Sequence, residues 1–316
     1  MIIPNDIDFA EYIQFLGGQE SQSIEWVSHW GDELEEHLVN PKSVEGTLLP
    51  WSKVADNVRL RSGEISIWAG MNGHRKSMLT SMVALWASAG ERVCIASLEM
   101  KPVETLARMV RQVAGCKDVN PAYARKFVQW ADERICIYDQ LDSVESERIL
   151  GMIYYCAREL KCRHIFIDSL TKCGLASGDA EAEKKFIDRL QWASKTLGCH
   201  IHLICHVRKP QSQGEEHRPT KFDIRGAGEL TDLVDNVFIV WRNKAKEKSL
   251  ETKTKGFSLS ERDLNNLEQP DQFLTVCKQR HGAWEGEIAL WFDNDSLQFT
   301  GDGSGRTLPF ELDVIF

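Results

Sequence analysis

The stretch Gly70-Met71-Asn72-Gly73-His74-Arg75-Lys76-Ser77 decides the fold. It follows the apolar run 65–69 and precedes a segment, 78–89, whose apolar residues recur at helical spacing. A strand, a glycine-containing loop, a Lys-Ser pair and a helix in this order are typical of a phosphate-binding P-loop, whose backbone N–H groups surround an anion. The stretch therefore predicts a nucleotide site formed by Gly70, Asn72, Gly73, His74, Arg75, Lys76, Ser77 and Met78.

Two residues of the loop have predicted roles, and a third departs from the usual pattern. We expect Lys76 to reach the β- and γ-phosphates and the Ser77 hydroxyl to bind Mg²⁺. Arg75 stands where the motif usually has glycine. If this position requires a positive φ, an arginine costs about 1–2 kcal/mol there, and if φ is ordinary the cost is small. Because the Lys and the Ser are kept, we expect nucleotide binding to be retained.

Composition indicates a globular chain and limits its partners. The 316 residues are 42% hydrophobic and 27% charged, which is ordinary for a soluble protein. No apolar stretch is long enough to span a bilayer and the N-terminus carries no signal pattern, so we expect a cytoplasmic location without membrane contact. The net charge of −9 argues against a chain coated with nucleic acid but allows a local basic groove.

The nine cysteines are scattered along the chain, and none forms a C-x-x-C pair. Several lie inside apolar runs, such as Val93-Cys94-Ile95. We predict buried free thiols in a reducing compartment. The spacing typical of zinc ligands is missing.

From about residue 58 the pattern alternates between strands and helices. Strands are predicted at 65–69, 92–98, 135–138, 163–168, 201–206, 237–241, 273–277 and 288–292, and helices at 76–89, 102–114, 121–131, 144–160 and 180–197. Short apolar runs separated by helices predict an α/β fold with a mostly parallel sheet covered on both faces. Two polar stretches, 207–223 and 243–270, are predicted as long loops.

The first 47 residues are predicted as an N-terminal arm or linker, and 48–316 as the core domain. The arm is too small for a typical independent core. Residues 32–38 read as a short acidic helix. We expect the arm to dock on its own core or on a neighbouring subunit.

Two acidic residues follow predicted strands. Glu99 comes directly after the strand at 92–98, and Asp168 closes the run 164–167. In an open parallel sheet, ligands bind outside the carboxyl ends of the strands. A carboxylate there can polarise a water for attack on a γ-phosphate, and another can hold Mg²⁺. We predict the first role for Glu99 and the second for Asp168.

Three basic residues at strand ends are further candidates. His206 ends a strand, where it could contact a γ-phosphate or be purely structural. Lys278 and Arg280 are one residue apart on an extended segment and so project to the same side. They could reach a phosphate bound by a neighbouring subunit, or form a solvated basic strand end, and spacing alone leaves both open.

Taken together, these segments resemble the RecA-like hexameric replicative DNA helicases of the DnaB family, and more closely the helicase half of phage primase-helicases and of Twinkle. The resemblance covers about residues 48–300. It rests on the segments 70–77, Ser97-Leu98-Glu99-Met100, Ile167-Asp168-Ser169-Leu170, His206-Val207-Arg208-Lys209, Asp223-Ile224-Arg225-Gly226-Ala227-Gly228 and Lys278-Gln279-Arg280-His281-Gly282.

The resemblance implies a RecA-like P-loop core and a set of roles. Glu99 would be the catalytic base, Asp168 the Walker B acid, His206 the γ-phosphate sensor, and Arg280, with Lys278 beside it, the finger acting on a neighbouring subunit. ATP and Mg²⁺ would be bound. The residues implied to grip single-stranded DNA are Arg208, Lys209, Lys221, Arg225, Gly226 and Gly228.

The implied activity is that of an ATP-dependent helicase moving on single-stranded DNA during replication. The expected assembly is a homo-oligomer, a hexameric ring, with a separate primase or loader and a phage or mobile-element origin. Two alternatives remain. The 223–228 segment argues against a RecA/RadA-like recombinase, and the retained Glu99, Asp168 and Arg280 argue against a non-hydrolysing ATP-binding adaptor of a replication complex.

Overall fold

The computed structural model describes residues 27–39, 45–175, 179–208, 217–308, 310 and 312. Its helices are α1 (Gly31–Val39), α2 (Lys76–Ala87), α3 (Pro102–Ala114), α4 (Pro121–Ala131), α5 (Ser146–Arg158), α6 (Ala180–Leu197), α7 (Ala227–Leu233), α8 (Lys244–Thr254) and α9 (Glu261–Glu268). Its strands are β1 (Thr47–Leu48), β2 (Arg59–Leu60), β3 (Ile65–Gly70), β4 (Arg92–Ser97), β5 (Ile135–Ile137), β6 (Cys162–Asp168), β7 (His200–His206), β8 (Asn236–Arg242), β9 (Gln272–Gln279), β10 (Gly286–Phe292) and β11 (Phe299–Thr300).

Within these residues, one large sheet has the strand order β11-β10-β9-β8-β3-β7-β6-β4-β5. The strands from β8 to β5 in this order run parallel, whereas β9, β10 and β11 each pair antiparallel with their neighbour. The prediction of a mostly parallel sheet flanked by helices is confirmed. The short strand β11 was not predicted.

Helices cover both faces of the sheet. The sequence of β3 is almost wholly apolar because this strand is buried on both faces. Ile65 and Ile67 enter one core with residues of α5 and α6, while Trp68 enters the other with residues of α2, α3 and α4. Successive side chains of a strand point to opposite faces, so a strand covered on both sides needs apolar residues at odd and even positions alike. All six residues of β3 are buried.

The prediction of a long loop at 243–270 is wrong, because α8 and α9 occupy most of this stretch. α8 is so polar that no apolar periodicity signals a helix, and α9 is short, with Leu264 and Leu267 as its two apolar residues. Caps and polar contacts hold them instead. The Asn243 side chain accepts from the backbone N–H of Lys246, Ser260 and Asp263 form a capping box, and the Ser249 hydroxyl donates to Asp263 over 2.8 Å.

Residues 27–39 of the predicted arm form a short 3₁₀ turn followed by α1, which overlaps the predicted helix at 32–38, and the last residue of the arm, Thr47, begins β1. Three large apolar side chains of this turn and helix are exposed to solvent: Trp30 is 50%, Leu34 55% and Leu38 72% exposed. The arm's docking surface stays a prediction. Among the described helices, none has both the length and the apolar character needed to cross a membrane.

Candidate active site

The phosphate loop lies between β3 and α2, at the carboxyl end of the parallel strands. Gly70, the last residue of β3, is paired with His206, the last residue of β7. A side chain at position 70 would collide with the carbonyl oxygen of Val240, so this position requires glycine. The Lys76 ammonium is buried and donates to the carbonyls of Gly70 and Met71 over 2.9 and 3.0 Å. The lysine is thereby held over the mouth of the loop.

The sheet brings the predicted strand-end groups together beside this loop. Asp168 on β6 is paired with Ser97 on β4, and Glu99 lies two residues after Ser97. Glu99 Oε1 accepts from the Ser169 hydroxyl at 2.7 Å and lies 3.7 Å from His206 Nε2. His206 Nδ1 is in turn 3.4 Å from Lys76 Nζ. The predicted base, metal acid, sensor and P-loop lysine therefore form one group.

The surroundings shift the pKa values of the Glu99 and Asp168 carboxyl groups in opposite directions. The adjacent His206 ring, and then the hydrogen bond from Ser169, lower the pKa of Glu99 to about 2 against the opposing effect of partial burial. Burial raises the pKa of Asp168, although a hydrogen bond from the Ser77 hydroxyl acts in the other direction. Burial also lowers the pKa of Lys76. Glu99 is thus a firmly ionised group, whereas Asp168 lacks a strong enough partner for its buried charge.

This arrangement fits a magnesium ion. Mg²⁺ prefers carboxylate and hydroxyl oxygens and usually keeps several waters. The Asp168 carboxylate and the Ser77 hydroxyl are adjacent, and a cation would compensate the buried charge of Asp168.

A cleft of about 650 Å³ opens over these groups. Its walls include Asn72, Gly73, Arg75, Lys76, Ser77, Met78, Glu99, Asp168 and His206, all predicted from sequence. They also include five residues that sequence reasoning missed: Arg108, Arg242, Phe292, Asn294 and Leu297. Arg242 is the last residue of β8 and Phe292 is the last residue of β10. Their positions at the carboxyl ends of predicted strands were the signal from which they could have been found.

Arg75 has a positive φ of 64° and caps the N-terminus of α2. The position therefore imposes the backbone cost expected for a residue other than glycine. Its guanidinium donates to Glu247 on α8 over 3.0 Å and lies 3.8 Å from the centre of the Phe292 ring. Arg242 binds the same carboxylate over 2.5 Å and donates to the carbonyl of Gly73 over 3.0 Å. Arg75 thus points to the outer wall of the loop, where α8 anchors it.

Like Arg75, His74 connects the phosphate loop to neighbouring elements of the fold, in this case to β8 and β9. Its buried ring accepts from the backbone N–H of Arg242 over 3.2 Å, and its carbonyl accepts from Gln272 over 3.0 Å. Burial, followed by the nearby cations Lys244 and Lys76, lowers the pKa of His74 to about 4. At neutral pH the ring is therefore uncharged, and it is the backbone of this residue that belongs to the loop.

Replacing Arg75 separates its backbone cost from its contacts. Both Arg75→Gly and Arg75→Ala lose the Glu247 and Phe292 contacts, but only glycine removes the cost of positive φ. We expect the glycine variant to be more stable than the alanine variant by about 1 kcal/mol, measured by urea unfolding. Nucleotide affinity should change little in either, since the guanidinium faces Glu247. A large loss of affinity in both variants would show that Arg75 contacts the phosphates.

A second groove adjoins the cleft. It encloses about 530 Å³ and is lined by His206, Arg208, Arg225, Gly226 and Glu183 among others. The segments after β7 and before α7 are joined there, because Arg208 N–H donates to the Asp223 carbonyl over 2.7 Å and Arg225 N–H to the His206 carbonyl over 3.2 Å. His206 is common to the walls of both cavities.

The other predicted DNA-binding residues are placed around this groove or beyond the described residues. Lys221 lies in a 3₁₀ turn, followed by Phe222, which is 75% exposed and was not singled out from sequence. Gly228 is in the first turn of α7. Lys209 lies outside the described residues.

Lys278 and Arg280 project to the same side, as predicted, but not toward the P-loop of their own chain. Lys278 Nζ donates to the carbonyls of Thr231 and Asp232 over 2.8 and 2.9 Å. Arg280 donates to the carbonyls of Asp232 and Leu233 and lies 3.3 Å from Asp235 Oδ1. This is the start of β8, at the end of the sheet opposite to the phosphate loop.

Comparison with known proteins agrees with the geometry. The model of a family described as AAA domain matches residues 43–212. The DNA helicase/primase of Enterobacteria phage T3 is 29% identical over 206 residues, which are 58% of this chain and 36% of that protein. The chain thus spans only about a third of the length of this relative.

Two solved structures share the fold. The first, an ATPase domain, superposes with a TM-score of 0.68 at 15% identity, covering 86% of this chain and 97% of that one. The second, a DnaB-like replicative helicase whose interactions with primase are also known, gives a TM-score of 0.67 at 14% identity, covering 92% and 70%. The resemblance to DnaB-type helicases found in the sequence is confirmed at the level of the fold.

Proposed function

The chain belongs to the AAA domain family, and from this premise we propose that it is an ATP-dependent DNA helicase that moves along single-stranded DNA during replication. ATP would bind in the 650 Å³ cleft, with its phosphates on the loop 70–77. Mg²⁺ held by Ser77 and Asp168 would neutralise phosphate charge. The side chains of Phe292 and Leu297 border the cleft and give it an apolar part that suits a nucleobase.

The observation that carries the proposal is the position of His206 between the two cavities. On one side the ring faces Glu99 and Lys76, where a γ-phosphate would lie. On the other it borders the groove with Arg208 and Arg225. The His206 carbonyl is also bonded to the backbone of Arg225. Loss of a γ-phosphate could thus displace the segment that grips DNA, which is the coupling a translocating ATPase requires.

A ring is proposed for two reasons. Arg280 is far from its own P-loop, so a role at an active site requires a neighbouring subunit. The apolar residues Trp30, Leu34 and Leu38 of the arm are exposed, which supports docking of α1 on another chain. The expected assembly is a homo-hexamer.

ATP turnover with and without single-stranded DNA, on protein sized by light scattering, tests the proposal. We expect DNA-stimulated hydrolysis in particles of about six chains. Lys76→Ala is the control that should lower turnover by at least about 10²-fold, because the γ-phosphate loses its cation. A monomer without turnover would favour the ATP-binding adaptor, and DNA-stimulated filaments would favour the recombinase.

Arg225→Ala tests the DNA groove. The side chain is exposed at the groove, and we expect the variant to bind single-stranded DNA several-fold more weakly. A lost phosphate contact should also reduce the slope of log K against log salt concentration by about 0.7. Arg125→Ala is the matched control, since Arg125 is an exposed arginine on α4. Equal affinities for the two variants across salt concentrations would refute the role of Arg225.

A further inference from the structure

The nine cysteines all lie in the described residues, where they are free thiols and most of them are buried, as predicted. Four of them nevertheless meet in one place, which their positions in the sequence did not suggest. Cys94 on β4 is paired directly with Cys136 on β5, Cys156 is on the last turns of α5, and Cys162 begins β6. All four are buried. We call these residues the sulfur cluster.

Three of the four thiols are spaced like ligands around a single ion, since the Sγ atoms of Cys94, Cys136 and Cys156 all lie within 4.8 Å of one another. Cys162 Sγ is 3.6 Å from Cys136 Sγ but lies outside that group of three. A zinc ion bound by four thiolates at about 2.3 Å holds its sulfurs about 3.8 Å apart. A rotation of the Cys162 side chain toward Cys94 and Cys156 would bring the fourth sulfur into a tetrahedron.

The surroundings offer a soft ion further support and an approach. Met152 Sδ lies 3.7 Å from Cys156 Sγ and 4.0 Å from Cys94 Sγ, so a fifth sulfur borders the cluster. A cavity of about 170 Å³ is lined by Cys136, Cys162, Arg92 and Arg134, together with Glu133 and Glu159. The cavity leads to two of the four thiols and so gives an ion a path to them. The four thiols would release their protons to solvent as the ion binds them, because thiolates are the metal-binding form of cysteine.

We propose that Cys94, Cys136, Cys156 and Cys162 form a structural site for one Zn²⁺ ion. Bound zinc would fasten the edge strand β5 to β4, β6 and α5. The site is remote from the phosphate loop, since Cys136 is on the outermost strand and β3 is four places further along the sheet. It stands independently of the ATPase proposal.

Zinc content and ligand type, measured on the full chain purified under reducing conditions, test the site. Protein equilibrated with Zn²⁺ and then passed over a desalting column should retain one zinc per chain by mass spectrometry, with a sulfur-only ligand shell by X-ray absorption. Retention of no zinc overturns the proposal. A shell of oxygen or nitrogen ligands also overturns it, because that ion would be at Asp168 or on the surface.

Matched cysteine variants identify the ligands. Cys136→Ala should reduce zinc affinity at least about tenfold, while Cys199→Ala, which also removes a buried thiol, should leave it unchanged. Equal retention in both variants contradicts the assignment. If Cys136→Ala does not fold, Co²⁺ added to the chelator-treated wild-type chain decides instead. Thiolate-to-cobalt absorption supports the site, and its absence overturns it.

Discussion

Glu99→Gln is expected to lower the rate of ATP hydrolysis by about 10²–10⁴-fold while leaving ATP binding intact. Glutamine keeps the size of the side chain and can still accept from the Ser169 hydroxyl, which is 2.7 Å from Glu99 Oε1. It cannot carry the negative charge that polarises an attacking water. Single-turnover hydrolysis and equilibrium nucleotide binding, measured on the same preparation, separate the two effects.

The environment of Glu99 also predicts how the reaction depends on pH. Because the adjacent His206 lowers the pKa of Glu99 to about 2, the carboxylate is ionised throughout the neutral range. Its protonation should therefore cause no loss of activity until the pH approaches that value, well below the range in which the fold is usually stable. So weak a base is better suited to orienting the water than to removing its proton before attack.

Ser169→Ala is the control for Glu99→Gln. It removes one hydrogen bond to Glu99 but keeps the carboxylate, so we expect a far smaller loss of turnover. Unchanged hydrolysis in Glu99→Gln would remove Glu99 as the catalytic carboxylate. A parallel loss of ATP affinity would indicate that it only shapes the cleft.

The phosphate loop and the strand-end carboxylates were predictable because their signals are local. An apolar run followed by a polar residue identifies the carboxyl end of a buried strand, and several such ends meet at one edge of a parallel sheet. Glu99, Asp168 and His206 were found in this way, and Gly70 was found as the first residue of the glycine-containing loop that follows the apolar run 65–69. The assignments of their roles stay predictions, but the structure brings all four together.

What the sequence did not reveal depends on contacts between distant segments. The direction of the Arg75 side chain follows from Glu247 and Phe292, neither of which is near it in sequence. The helices α8 and α9 were missed because polar caps and ion pairs, not an apolar stripe, hold them. The sulfur cluster joins residues 94 to 162, and no spacing rule for zinc ligands describes positions so far apart.

Arg280→Ala is expected to lower ATP turnover by about 10³-fold or more in the assembled ring, with nucleotide binding nearly unchanged. Within its own chain the guanidinium binds the carbonyls of Asp232 and Leu233 and the carboxylate of Asp235, away from the phosphate loop. A contribution to hydrolysis would therefore require a neighbouring subunit whose bound phosphate it can reach. Those three contacts also give Arg280 a structural role. Loss of activity in this variant alone therefore does not show that Arg280 acts on the phosphate of a neighbouring subunit.

Mixing two inactive variants separates these roles. A Lys76→Ala subunit keeps Arg280 but has a defective phosphate loop. An Arg280→Ala subunit has an intact phosphate loop but lacks the arginine. Where the first subunit presents its arginine to the loop of the second, a complete site forms, so the mixed ring should regain a fraction of wild-type turnover. Light scattering before mixing must show that both variants assemble. If assembled mixtures stay as inactive as either variant, Arg280 acts only within its own chain, by securing the end of α7 against the start of β8.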